Sequence, residues 1–233
     1  ITKQPRVAIV LGGGGAKGFA HIGVLEVLQK AGVPIDMIAG SSAGSVVGAL
    51  YADNGNADEA KKALMSASFW DIADLGNFPS LKGPIKGYHL EKFLLKHMRA
   101  TTFKQTKIPF IVATTDLKAG KLYPIQSGPI APAVLASGAM PGGVRPVHLY
   151  GHILVDGCMT DPVPVNLVKR YHPKIIIAID IDQQLPKNMP WSFYGIYKRG
   201  FLISWLELAR YTERQANVII HPQTGQVGTF DWS

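Results

Sequence analysis

The stretch with the clearest chemical potential is Ile38-Ala39-Gly40-Ser41-Ser42-Ala43-Gly44-Ser45, where an apolar run breaks into Gly-x-Ser-x-Gly. A serine between two glycines at a strand-to-helix turn is the arrangement of a nucleophile elbow. Gly40 and Gly44 allow a backbone too tight for a Cβ, and Ser42 Oγ is left at the mouth of the sheet. The N-terminus of the following helix favours negative charge developing on a substrate there. Gly and Ser are also ordinary turn residues, so the pentapeptide alone is compatible with a plain turn.

A second feature is Gly12-Gly13-Gly14-Gly15-Ala16-Lys17-Gly18. Gly13-x-Gly15-x-x-Gly18 has the form of a dinucleotide fingerprint, with a strand before, a helix after and Asp36 further on. Consecutive glycines also let backbone N–H groups converge on one point, as an oxyanion hole requires. The second reading is favoured because Asp36 opens the second strand, whereas a ribose-binding acid ends it. The second strand also leads directly to the serine elbow. A packing turn accounts for one or two glycines but not for four in succession.

A serine hydroxyl needs a group to take its proton. His221 fits the Ser, Asp, His order of a triad by position alone, but it directly follows Val218-Ile219-Ile220 and reads as a strand-end residue. His21, His89, His97, His148, His152 and His172 lie in no catalytic motif and read as surface or structural residues. Asp156 is the better candidate. It ends a hydrophobic strand at Asp156-Gly157-Cys158, where Gly157 permits a sharp turn. Aspartate in that position is also a common turn former.

The elements that must position these groups alternate between strand and helix. Arg6–Leu11 is a β-branched run suited to a strand buried on both faces. A helix over about Phe19–Ala31 turns Ile22, Leu25, Val27 and Leu28 inward, and Val33–Ile38 reads as the strand before the elbow. Helices are expected over Ser45–Ala52, about 57–68, Tyr88–Met98, Pro129–Ser137, Val163–Tyr171 and Phe193–Ala216. In the last of these, Phe201, Leu202, Trp205 and Leu208 share a face. Strands are expected over Ile108–Thr115 and Leu122–Ile125, over Val147–Tyr150 and Ile153–Val155, and over Lys174–Ile181 and Val218–His221. Phe69–Gly87 is aromatic and Gly/Pro-rich and reads as an irregular cap. The pattern is that of an α/β fold around a mostly parallel sheet, and 1–233 is within the length of one domain.

Hydrophobic residues make up 47% of the 233, enough for a full core. The net charge of +8 is dispersed, which argues against nucleic acid and suits either anionic headgroups or mere solubility. Cys158 is the one cysteine, so neither an intramolecular disulfide nor a cysteine metal cluster can form. The apolar runs fall short of the roughly 18 residues of a spanning helix. A cytoplasmic or peripheral membrane location is expected, and the start at Ile1 leaves open what lies upstream. Phe69-Trp70 and the aromatic residues of 191–205 could touch a membrane, with core packing the expected fate of most of them.

The order of these motifs resembles the patatin-like phospholipase family. The resemblance rests on Leu11-Gly12-Gly13-Gly14-Gly15-Ala16-Lys17-Gly18 and its continuation to Leu25, on the serine elbow and on Asp156-Gly157. It extends to Ala113-Thr114-Thr115-Asp116-Leu117, Ala136-Ser137-Gly138-Ala139-Met140-Pro141-Gly142 and Pro162-Val163-Pro164-Val165, and the tail to Phe230-Asp231 looks like the bacterial branch. It implies a three-layer α/β/α sandwich and a Ser-Asp dyad without histidine. It also implies hydrolysis of lipid acyl esters with no metal or cofactor. Carried over, Ser42 resembles the nucleophile, Asp156 the base, and Gly13, Gly14 and Gly15 the oxyanion loop. Lys17 would support that loop or favour an anionic headgroup, with a plain solvated lysine as the alternative. Cys158 and Asp161 depart from the family pattern, where a Gly or Ala and an Asn are usual.

Overall fold

A computed structural model describes residues 5–66, 87–181, 184–185 and 187–224. The expected cap over 69–87 (apart from Gly87), Phe69-Trp70 and the tail at 230–231 lie outside the described residues. The strands are β1 (Val7–Leu11), β2 (Met37–Ser41), β3 (Phe110–Asp116), β4 (Lys121–Ile125), β5 (Val147–Leu149), β6 (His152–Asp156), β7 (Ile175–Ile179) and β8 (Val218–Ile220). β3, β2, β1, β7 and β8 form a parallel run, with β4, β6 and β5 added in antiparallel hairpins.

β1, β2, β3 and β7 beyond its first residue are buried on both faces, whereas the edge strand β8 is largely exposed, and the buried side chains divide with a period of two. Val7, Ile9 and Leu11 of β1, Ile38 of β2 and Phe110 and Val112 of β3 pack on one side. There they meet α1 (Phe19–Lys30), α2 (Ala43–Asn54), α3 (Ala57–Met65), α4 (Tyr88–His97) and α5 (Ile130–Ser137). The alternate residues Ala8, Val10, Ala39, Ile111 and Ala113 pack on the other side, under α6 (Val165–Lys169) and α7 (Phe193–Glu213). The result is a three-layer α/β/α sandwich.

The register around β3 determines where the site forms. β4 pairs with Val112 to Asp116 along one edge of β3. The other edge is shared: Ile38 to Ser41 of β2 lie against Phe110 to Ala113, and Asp156 to Leu154 of β6 lie against Thr114 to Asp116. β2 and β6 therefore approach end to end on a single edge, and Ser41 and Asp156 face consecutive residues of β3. Both chains must leave the sheet at that point.

Several details differ from the sequence expectation. β2 starts at Met37 rather than Val33, because Pro34 has no N–H to give a ladder and Asp36 turns its carboxylate to the Arg6 and Val7 amides at 2.9 and 3.0 Å. α6 is confined to five residues because Val163 precedes Pro164 and is barred from helical geometry. Val27 of α1 is 65% exposed, so the inward stripe is Ile22 and Leu25 with Leu28 half-buried. On α7 the buried stripe is Leu202, Trp205, Leu206 and Ala209, with Phe201 and Leu208 at its margin.

Leu25→Ala is expected to cost about 2–5 kcal/mol in urea unfolding, the range for a buried leucine deletion. Val27→Ala should stay within about 0.5 kcal/mol. Equal losses at the two positions would refute this assignment of the α1 faces.

Candidate active site

Ser42 stands between β2 and α2 with φ 51° and ψ −122°, a backbone region that non-glycine residues rarely occupy. The strain is held from both sides. Ser42 N–H donates to Ser137 Oγ at 2.8 Å, and Ser137 Oγ donates to the Ala113 carbonyl at 2.7 Å. On the helical side, Ser45 N–H and Oγ both donate to the Ser42 carbonyl, at 2.8 and 2.7 Å. A Cβ on Gly44 would run into the Leu11 carbonyl, so only glycine lets α2 start this close to β1. Gly40, the last residue but one of β2, lies directly beneath this turn.

The strand collision described above brings the carboxylate to the serine. Ser42 Oγ–H donates to Asp156 Oδ2 at 2.7 Å, across 114 residues of sequence. The second oxygen, Oδ1, accepts Cys158 N–H at 2.9 Å. Asp156 N–H leaves the β3 ladder for the Ala139 carbonyl at 3.0 Å, and Thr115 Oγ1 donates to the Asp156 carbonyl at 2.9 Å. Gly157 then takes the chain off the sheet into a 3₁₀ turn, Gly157–Met159. Asp156 is 1% exposed, and burial pushes its carboxyl up to about 6 against the opposing pull of the donors from Cys158 and Ser42. A carboxylate of raised basicity on a serine hydroxyl is able to take up its proton.

The glycine loop passes over the same point. Gly13 lies so close that a Cβ there would collide with Cys158 Sγ and lie 3.2 Å from Ser42 Cβ and 3.3 Å from Trp205. Its own N–H donates to the Pro162 carbonyl at 3.0 Å. For the Gly14 and Gly15 amides no protein acceptor is found among the described residues. The loop turns through Gly15–Gly18 in a 3₁₀ helix, and Lys17 within it is buried, so the solvated-lysine alternative does not hold. Gly18 packs against Ala43 at the start of α2.

The histidines lie elsewhere or in other bonds. His221 Nε2–H donates to Glu213 Oε2 at 2.9 Å. His152 Nδ1–H donates to Asp116 Oδ2 at 2.6 Å, and this bond holds the Asp116 carboxyl below its ordinary range. His21 is fully buried in α1, where Nε2–H donates to the Gly12 carbonyl at 2.8 Å; burial lowers its pKa to about 4. It is a neutral prop under the glycine loop. Asp36 sits at the start of β1, about 16 Å along the strand from the glycines, and is not placed to meet a ribose there. Asp180, Glu213 and His221 bring three possible metal-ligand atoms within 4.8 Å of one another, but the serine chemistry uses none of them.

Reading the residues alone missed Ser137 and Thr115, and it gave His21 a surface or structural role without a partner. All three lie inside the stretches that carry the family resemblance, yet no spacing rule assigns them a partner. Asp161 is buried, Oδ1 has no hydrogen-bond partner among the described residues, and burial raises the carboxyl to about 7. A substantial share of it is therefore uncharged near neutrality, which brings it closer to the asparagine usual at that position than an ordinary carboxylate would be. Cys158 is buried as a small filler.

Residues 9–169 match the patatin-like phospholipase family, and the chain belongs to it. It is 35% identical over 186 residues to an uncharacterised NTE family protein of Mycobacterium tuberculosis, covering 78% of this chain and 50% of that one. It is 30% identical over 216 residues to human patatin-like phospholipase domain-containing protein 6, covering 89% of this chain and 15% of the relative. A third relative is lysophospholipase NTE1 of Meyerozyma guilliermondii, 32% identical over 219 residues with coverages of 91% and 15%. The chain thus spans half or less of the length of these relatives. The fold is shared with VipD of Legionella pneumophila at a TM-score of 0.58 and 14% identity, over 87% of this chain and 53% of that one.

Gly13→Ala is expected to lower stability by about 1–3 kcal/mol through overpacking against Cys158. The double variant Gly13→Ala/Cys158→Gly should regain a large part of that loss in a double-mutant cycle of urea unfolding. Strict additivity of the two changes would show that the sulfur is not the obstacle.

Proposed function

We propose that this chain is a serine acyl hydrolase that cleaves fatty-acyl esters of phospholipids, lysophospholipids or related lipids, with residues 1–233 acting as one catalytic unit. The observation that carries the reading is the 2.7 Å hydrogen bond from Ser42 Oγ to a buried carboxylate at a strained strand-to-helix turn. Family membership and the printed names of the relatives, a phospholipase-domain protein and a lysophospholipase, support the substrate class.

In this mechanism Asp156 takes the Ser42 proton as Oγ attacks the ester carbonyl, and a C–O bond forms. The Gly14 and Gly15 amides and the N-terminal end of α2 hold the oxyanion; Gly13 keeps the space above Ser42 open. Collapse of the tetrahedral intermediate breaks the ester C–O bond, and Asp156 returns the proton to the departing alcohol. Water, deprotonated by Asp156, then attacks the acyl-enzyme and releases the fatty acid, with the proton passing back to Ser42. No cofactor enters these steps. Access to such substrates implies peripheral contact with a lipid surface; among the described residues no helix is long and apolar enough to cross a membrane.

Ser42→Ala should take no fluorophosphonate adduct by intact mass and show no ester turnover. Asp156→Asn should keep the fold and lose about 10²–10⁴ in kcat, the contribution of a positioned base. Near-normal hydrolysis by Asp156→Asn, or loss of it in His221→Ala, would move the base elsewhere.

The pH profile offers an independent check. Asp156 acts in its ionised form, so kcat/KM should be low in acid, rise through a midpoint near 6 and level off above it. A midpoint near 4 would mean that the carboxylate is not desolvated in the working enzyme.

A further inference from the structure

In the first two turns of α7 and the segment before them, no side chain is seated in the apolar core formed by the described residues. No residue from 191 to 201 is buried, and the apolar stripe that seats the helix begins only at Leu202. Trp191 is 83% and Phe193 91% exposed, and Tyr194, Ile196 and Tyr197 are exposed beside them. Lone exposed apolar residues are ordinary, but a cluster of three aromatic types on one element is not. Of the six aromatics from Trp191 to Trp205, Trp205 is buried and Phe201 packs half-buried against the core, whereas Trp191, Phe193, Tyr194 and Tyr197 are exposed, against the core packing expected of most.

The element that presents them is built. Ser192 Oγ caps the helix by accepting Gly195 N–H at 3.1 Å, and Pro190 packs so closely on Gly195 that a Cβ there would lie 2.5 Å away. Arg199 Nη1 donates to the Asn188 carbonyl at 3.3 Å, tying the preceding segment to the helix. Along the sequence, residues 183–206 contain Lys187, Lys198 and Arg199 and no Asp or Glu, with Asp182 and Glu207 at the two ends of the stretch. Trp and Tyr with Lys and Arg flanking apolar side chains is the composition of a lipid–water interface.

The same helix reaches the catalytic serine. Trp205 borders the space beside Gly13 and Ser42, and it lies about 12 Å along the axis from Tyr197. We infer that the exposed end of α7, centred on Trp191, Phe193 and Tyr197, is a docking surface for an anionic phospholipid bilayer. The aromatics insert at the headgroup boundary while the basic side chains meet lipid phosphates, which sets Ser42 close to the plane of its substrates. The inference rests on the lipid hydrolase reading for its purpose but not for its test.

The test is co-sedimentation of the 233-residue chain with vesicles, which needs no catalysis. Wild type should bind vesicles of equimolar phosphatidylglycerol and phosphatidylcholine, bind pure phosphatidylcholine far less, and release with salt. Trp191→Ser/Phe193→Ser, with circular dichroism and melting unchanged, should partition at least about tenfold less. Turnover of a soluble short-chain ester should stay within about twofold of wild type, while turnover of vesicle lipid falls with binding. Failure of wild type to bind anionic vesicles, or undiminished binding by the variant, would overturn the assignment. So would concentration-dependent self-association in light scattering that the same variant abolishes, which would make this face a contact between copies. If vesicles bind as expected and no ester is cleaved, the docking surface stands and the hydrolase reading fails.

Discussion

The fold depends on a conflict over one edge of one strand. β3 can offer two edges, and β4 occupies one. β2 from below and β6 from above claim consecutive positions on the other. Neither can continue, so each turns off at the same level: β2 through the strained Ser42 and β6 through Gly157. The hydrogen bond between Ser42 and Asp156 is the product of that double exit. The two groups meet because the backbone leaves them nowhere else to go, and Ser137 and Thr115 secure the two exits to β3 and its surroundings.

The energetics of the site run against those of the fold. Asp156 ionises near 6 in the folded chain against an ordinary 3.8, so between these values the folded state holds more protons than the unfolded one. Stability therefore falls as pH rises through that window, by a total on the order of 3 kcal/mol. Asp161, raised to about 7, adds in the same direction. His21 acts in the opposite sense: lowered from 6.5 to about 4, it removes stability as pH falls through that interval. Between about pH 4 and 6 the His21 and Asp156 effects oppose and largely offset one another, Asp161 leaves a net loss toward pH 7, and the wide apolar layers on the two faces of the sheet offset the cost of burying all three groups.

Much of this was legible in the sequence, and for specific reasons. Buried parallel strands advertise themselves as β-branched runs, so β1 and β7 were found within a residue or two. The elbow and the glycine loop are local, and local geometry dictates local residue types. What could not be read was whatever depends on a partner distant in the chain. Asp156 looked as much like a turn former as a base, because its role depends on register against β3. Ser137 and His21 carry no local mark, since one holds an amide 95 residues away and the other a carbonyl on a neighbouring turn. Helical periodicity misplaced Val27 and Leu208, because it gives a face but not where the neighbouring layer ends. It gave no sign that α7 outruns the body at its aromatic end.

The pairing of β1 with β7 has a consequence for how the chain comes to be active. β1 meets β2 soon after both are made, but its other edge, from Val7 to Leu11, waits for Ile175 to Ile179. Until those residues emerge from the ribosome, the nascent chain carries an open edge of unpaired backbone groups on a strand whose side chains are all apolar, of the kind that chaperones cover. Ser42 likewise waits for Asp156, its hydrogen-bond partner 114 residues further along the chain. A growing chain therefore assembles the Ser42–Asp156 pair only late, as its sheet nears closure. Slow non-local pairing thus orders the assembly, and the Ser42 site is complete only when most of the core is in place.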